Sequence, residues 1–403
     1  METQAAGPGA FAEFDLGRVP SPCFVVDAAA VRRNLSILKD VGDRSGAKVL
    51  LALKAFSMWS LGDLVGEHLD GTCASGLYEA RLAREHYHGH LTTYSPAYKR
   101  ADLPEILRLS DTVIFNAPEQ RARFADLIAD ARAAGAVFDI GLRLNPEHSE
   151  AEVAKYDPCQ TGSRLGFPVS QLRPEHLEGV DGLHIHALCE QGFEPLERIW
   201  ASLEPKLAGM LGSIKWLNLG GGHHITRADY RRDDLVALVR GISERHGVQV
   251  YLEPGEAIAL DAGILVGEIL DTFDNGLAVA ITDISATCHM PDVIEAPYRP
   301  ALMGEVDGGV TVRIGGTSSA TMVLPCRRSR GIASPSSTRP IIRWSRPTPS
   351  TACRCRPSPC GTVRPTPCGW CGPSTTATSA TGCPEGTAPA DIGLQAPLNP
   401  AAA

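Results

Sequence analysis

The sequence predicts an α/β protein built on a (β/α)8 TIM-like barrel and followed by a second, mainly β domain. Three observations carry that expectation. Between Val49 and Glu253 there are eight short apolar or β-branched runs: "VLLALK", "GTCAS", "LTTYS", "TVIFN", "FDIGLRLN", "GLHIHA", "KWLNLG" and "VQVYLE". Nearly all are separated by stretches such as "PEQRARFADLIADARAAG" and "YRRDDLVALVRGISERHG", whose apolar residues recur at helical spacing. Eight such alternations fit a fold whose usual size is about 250 residues. A doubly wound open sheet is the competing fold, but no GxGxxG follows the first strand.

The third observation concerns position. In this fold the active site gathers at the C-terminal ends of the strands, and there the polar and glycine-rich interruptions fall: Lys54, "CASGLYE", "RLNP", "HIHALCE", "NLGGGHH" and "EPGE". In "VLLALKAF", Lys54 closes an otherwise buried run. Taken alone, it reads as a strand ending with its amine in water; the alternative is a desolvated amine that forms a Schiff base with a carbonyl cofactor. After the seventh strand, Gly220, Gly221 and Gly222 offer either a tight turn or backbone N–H groups for a phosphate. Glu253 ends the eighth strand before Pro254 and Gly255, as a cap or as the carboxylate partner of a heteroaromatic nitrogen. His186 is either a core histidine or a residue stacked on a flat ring. Lysine, phosphate loop, ring stacker and acid together form the complement that pyridoxal 5'-phosphate requires.

The chain of 403 residues carries a net charge of −8, which argues against nucleic acid as a partner. No apolar run reaches the roughly 20 residues of a membrane span, and the N-terminal segment lacks the order of a signal peptide, so a cytoplasmic protein is expected. The charge is unevenly spread. The first 325 residues hold 29 basic and 44 acidic side chains, a balance of −15 suited to a small cationic ligand. From Cys326 onward there are 9 Arg, no Lys and 2 acids, with 7 of the 12 Cys and 13 of the 30 Pro. That tail shows no apolar periodicity, and without histidine or a repeated CxxC spacing its cysteines suggest no metal site. The expected organisation is an N-terminal segment over 1–30 that joins the β domain, a barrel over 31–275, a β remnant over 276–325 and an unstructured tail over 326–403.

The motifs "PSPCFVVD", "LALKAF", "RLNPEHSEAEVAKYDPCQTGSRLG", "GLHIHALCEQ", "LNLGGGHHITRADY", "LEPGEA" and "DISATCHMPDVIEAPYRP" resemble those of the alanine-racemase-like, fold-type III pyridoxal-phosphate decarboxylases. Within them the likeness is to the carboxynorspermidine (carboxyspermidine) decarboxylases, and it runs from about Pro20 to Ala301. It implies Lys54 as the Schiff-base lysine, His186 on the ring face, Gly220, Gly221, Gly222 and Gly255 at the phosphate, and Glu253 at the ring nitrogen. Most relatives carry Arg after "EPG"; here Glu256 stands there, a reversal that points to an amine as guest, with Asp292 as a second carboxylate for a polyamine. The implied reaction is decarboxylation of carboxynorspermidine or carboxyspermidine to norspermidine or spermidine by a homodimer. Competing expectations are a diaminopimelate or other amino-acid decarboxylase, and a cofactor-binding protein without turnover.

The resemblance also implies a "SCLAGD"-like motif, whose Cys protonates the product from the partner subunit, and later a "YTM" segment. This chain reads "TSSATMVLPCRRSRG" instead. Codons for Val323 to Arg328, read one base later, can spell Ser-Cys-Leu-Ala-Gly-Asp, and codons from Pro365, read two bases later, permit Tyr-Thr-Met. The β domain is therefore expected to be truncated or disrupted after about residue 316, by a change of reading frame.

Overall fold

A computed structural model describes residues 11–151, 157–295, 298, 300–303 and 310–317, together with the backbone of two later strands. Chain order begins with β1 (Cys23–Val26), then β2 (Lys48–Ala52), β3 (Gly71–Ala74), β4 (His90–Tyr94), β5 (Thr112–Phe115) and β6 (Asp139–Asn145). There follow the two-residue β7 (Phe167–Pro168), β8 (Gly182–Ile185), β9 (Trp216–Asn218) and β10 (Gln249–Leu252). β2, β3, β4, β5, β6, β8, β9 and β10 pair in parallel in that order, and β10 returns to β2, so the sheet closes. The eight runs read from the sequence are these eight strands. They are near-continuously apolar because each faces side chains inside the barrel and the crossover segments outside it.

The crossovers explain themselves locally. Helix Ala28–Ser45 starts where the Asp27 side chain accepts from Ala29 N at 2.8 Å, and it ends at Gly46, whose φ of 75° only glycine adopts freely. Its buried face is Val31, Leu35, Leu38 and Val41, at helical spacing. The long stretch after β5 breaks at Phe124 into two helices, Pro118–Arg123 and Ala125–Ala133. Between β6 and β8 the described crossover holds β7 and 3-10 turns rather than an α-helix.

At the N-terminal ends of the strands, aspartates tie neighbours together. Asp70 accepts from Val49 N at 2.9 Å, Asp111 from Leu91 N at 2.7 Å and Asp181 from Ile140 N at 2.8 Å. Lys48, Arg84 and Lys215 pair with the same three acids. Part of the acidic excess is thus structural and sits at the end of the barrel away from the strand C-termini.

Beyond the barrel come β11 (Gly263–Val266), β12 (Ile269–Asp274), β13 (Ala278–Thr282), β14 (Leu302–Met303), β15 (Val310–Gly316), β16 (Leu324–Arg328) and β17 (Ile341–Trp344). One sheet runs β1-β11-β17-β14 and another β12-β13-β15-β16. The expected break at 275 is therefore corrected: β11 and β12 already belong to these sheets, because β11 pairs antiparallel with β1 and β12 with β13. The break at 30 falls inside helix Ala28–Ser45, which Asp27 starts. The expectation of no structure from 326 is corrected at β16 and β17, where backbone pairing joins "IIRW" to β11. The rest of the tail lies outside the described residues.

Candidate active site

Each barrel strand ends at one mouth, and Glu253, directly after β10, is its most constrained side chain. It is 6% exposed. Its Oε1 accepts from Asn218 Nδ2 at 2.7 Å, and its Oε2 lies 3.3 Å from His184 Nε2. Asn218, the last residue of β9, also accepts from Gly220 N at 2.8 Å, while Glu253 N donates to Gly220 O at 2.7 Å. One asparagine thus fixes both the carboxylate and the start of the glycine loop. Burial pushes the Glu253 carboxyl up, but His184, the Asn218 amide and the positive charge of Lys54 outweigh it and leave the group ionised, below the usual carboxylate range.

His186 follows β8 and accepts from Gly221 N at 3.2 Å through Nδ1, so the neutral ring carries its hydrogen on Nε2. Burial, then the charges of Lys54 and Arg143, hold its pKa well below the ordinary histidine value. His184 is likewise lowered by burial, with Glu253 opposing. His184, His186 and Glu253 bring one ligand atom each to within 4.8 Å of one another. Because His186 Nδ1 and Glu253 Oε1 are already engaged, we read the trio as an electrostatic setting for the carboxylate rather than a metal site.

Lys54 answers the question raised by "VLLALKAF" differently from a desolvated amine. Val49 to Leu53 are buried, whereas Lys54 is exposed, since Ala55 N turns back to Ala52 O at 3.0 Å and takes the chain off the barrel wall. Its charge nevertheless acts on Glu253, His184, His186, Cys73 and Glu79, which places the amine at the same mouth. The Cys73 thiol on β3 is pushed up by burial and by Glu253, with Lys54 opposing, and stays protonated.

The glycine loop departs from the expected arrangement of three converging amides. Gly220 N and Gly221 N already donate inside the protein. Glycine is needed for close approach: a Cβ on Gly221 would stand 1.9 Å from Glu253 O, and Gly222 combines a φ of 86° with 2.0 Å to Leu188 O. Gly255 packs against the other end of the mouth, where a Cβ would meet that of Ala55 at 2.5 Å.

Glu256 opens the short helix Glu256–Ala259, its Oε2 3.1 Å from His224 Nε2. Asp292 lies on Pro291–Glu295, outside the barrel, where Tyr298 Oη donates to its Oδ2 at 2.6 Å. Several residues of the mouth were not singled out in the sequence. Arg143 on β6, 4% exposed, lies 4.6 Å over the Tyr94 ring and donates to His186 O at 2.9 Å. Tyr94 donates to Asn116 Oδ1 at 2.7 Å and its ring stands 5.5 Å from that of His184. The available signal was a charged or amide residue inside an otherwise apolar strand, as in "GLRLN" and "WLN".

No family model matches the chain. It is 40% identical to the carboxynorspermidine/carboxyspermidine decarboxylase of Campylobacter jejuni over 286 residues, 71% of this chain and 73% of that protein. It is 35% identical to the carboxyaminopropylagmatine decarboxylase of Synechocystis over 308 residues, 75% of this chain and 78% of that protein. The crystal structure of carboxynorspermidine decarboxylase from Campylobacter jejuni complexed with norspermidine superposes with a TM-score of 0.71 at 32% identity, covering 81% of this chain and 88% of that one. Diaminopimelate decarboxylase from Helicobacter pylori shares the fold at 13% identity, with a TM-score of 0.70 over 82% of this chain and 86% of that one. With its closed barrel and this mouth, the chain belongs to the carboxynorspermidine/carboxyspermidine decarboxylase family of alanine-racemase-like carboxy-lyases.

Proposed function

We propose that the protein decarboxylates carboxynorspermidine or carboxyspermidine, with pyridoxal phosphate as cofactor and a homodimer as the working unit. The observation that carries this reading is the buried, ionised Glu253, clamped by Asn218 and His184 in the mouth that also holds Lys54. That donor set fits the cofactor: an ionised carboxylate suits a protonated ring nitrogen, and an accessible amine suits a carbonyl. When bound, pyridoxal phosphate supplies the carbonyl for amine capture and an electron-accepting ring for the electrons released with CO2.

Lys54 would hold the carbonyl carbon, Glu253 the ring nitrogen and His186 a ring face, while the Gly220–Gly222 loop with Gly255 would line the phosphate by close approach of its backbone, the Gly220 and Gly221 amides being engaged within the protein. This chain's own contribution is order and charge. Asn218 and His184 fix the orientation of the ionised carboxylate, so it would accept a hydrogen bond from a protonated ring nitrogen at a fixed place without taking the proton. His186 is kept neutral by burial and oriented by Gly221 N, which suits a flat apolar contact. Glu256 and Asp292 would receive the amines of the polyamine.

The test is reconstitution of the full chain with pyridoxal phosphate. A visible absorbance band is expected in the parent and none in Lys54→Ala; a variant with an unchanged spectrum overturns the assignment. The relative that acts on carboxyaminopropylagmatine makes that compound the competing substrate. Turnover of both by one preparation decides between them.

A further inference from the structure

His224 is the residue of "GGGHH" to which the proposed reaction gives no task. It is joined to Glu256 from two sides. The side chains meet at 3.1 Å between Nε2 and Oε2, and are only 13% and 18% exposed. Their backbones are tied as well: His224 N donates to Gln191 O at 3.0 Å, and Thr226 Oγ1 donates to Ala257 O at 2.6 Å, pinning the loop to the helix that Glu256 begins. Neighbouring His223 takes no part, since its Nδ1 is engaged with Tyr230 Oη at 2.6 Å and burial, aided by His224, holds it near a pKa of about 3, neutral.

The contact between His224 and Glu256 is a close charge pairing rather than a formed hydrogen bond: His224 Nε2 and the other carboxylate oxygen, Glu256 Oε1, are both buried without a hydrogen-bond partner among the described residues. A desolvated carboxylate oxygen without a donor is unfavourable, and a charged donor is its strongest complement. A phosphate dianion offers no such donor, whereas an alkylammonium does. We propose that His224 is a positioning residue: it holds Oε2 of Glu256 and so aims Oε1 at a terminal ammonium of the polyamine. The inference rests on the reading of Glu256 as a substrate residue.

Norspermidine titrated calorimetrically into the full, cofactor-loaded chain tests it. His224→Phe keeps the ring bulk without its nitrogens, and His224→Gln restores a polar contact. His224→Phe and Glu256→Gln should each weaken norspermidine binding about tenfold. The double variant should be no weaker than the weaker single one, because both changes break one device. His224→Gln should recover most of the affinity, and cofactor affinity should not move in any of them. If Glu256→Gln weakens binding and His224→Phe does not, the positioning role is wrong while the reading of Glu256 stands. If Glu256→Gln itself has no effect, that reading fails and takes the proposal with it. A loss of cofactor rather than norspermidine affinity in either His224 variant would put the pair in the cofactor wall and overturn the proposal.

Discussion

Glu253 is asked to do two opposed things, to be buried and to stay charged. Asn218 and His184 make this possible by supplying a hydrogen bond and a polar neighbour where water would otherwise stand. Glu253→Gln keeps the shape and removes the charge. We expect kcat for CO2 release to fall by roughly 10²-fold, the size of effect that a prearranged charge at a reacting system supplies, with little change in thermal midpoint. A kcat within a few-fold of the parent would remove Glu253 from the chemistry. Lys54, His186 and Glu253 were legible in the sequence because each interrupts or closes an apolar strand at the end where sites form. Asn218, Arg143 and His184 were not, because each reads as an isolated polar residue within a strand. Only closure of the sheet shows that these polar positions face the same mouth.

At the scale of elements, the acid Glu150 ties the described segment after β6 to the next helix. Glu150 receives Arg198 at 2.9 and 2.7 Å from helix Glu194–Leu207, and His148 lies 2.9 Å away. The Arg198 hydrogen bonds, with burial opposing and His148 adding, lower its pKa to about 2. Since the folded value lies below the unfolded one of roughly 4.3, the interaction contributes fully above the latter and is lost as pH falls toward the former. Arg198 is half exposed, so screening reduces the contribution to about 0.2–1 kcal/mol. Glu150→Gln should destabilise by that amount in denaturant titrations at neutral pH, and the gap from the parent should close between about pH 4.3 and 2. A gap that stays constant across that window would mean that Glu150 acts by packing alone. The elements themselves were legible wherever burial on both faces forced a continuous apolar run, as in Val49 to Leu53. They were not where pairing alone makes the strand: the four residues Ile341–Trp344 carry too short a pattern to read, and Gly263–Val266 looks like one more barrel strand until its antiparallel partner β1 is known.

At the scale of the whole molecule, the barrel and the later sheets obey different rules. The barrel closes on itself, strand by strand, without using any residue beyond Leu252 for its sheet. The later sheets depend on segments distant in sequence, since β11 pairs with β1 on one side and β17 on the other. There the sequence turns to "RPTPSTACRCRPSPCG", rich in proline and arginine, which offers neither strand alternation nor apolar residues for a core. Cys326 stands close to where the resemblance implies a protonating cysteine but in the context "LPCRR", so it is not assigned that role. We therefore expect this chain to bind cofactor through its barrel and to turn over slowly, because "TSSATMVLPCRRSRG" stands where the resemblance implies the protonating motif. The decisive comparison is between this chain and a version whose reading frame is restored so that "SCLAGD" follows "VRIGG". Restoration should raise CO2 release by at least about tenfold, since general acid catalysis contributes roughly 10² or more, and leave cofactor binding unchanged. Equal activity in the two versions would show that the tail is not a defect, and the absence of that motif from every frame of the gene would overturn the change of reading frame.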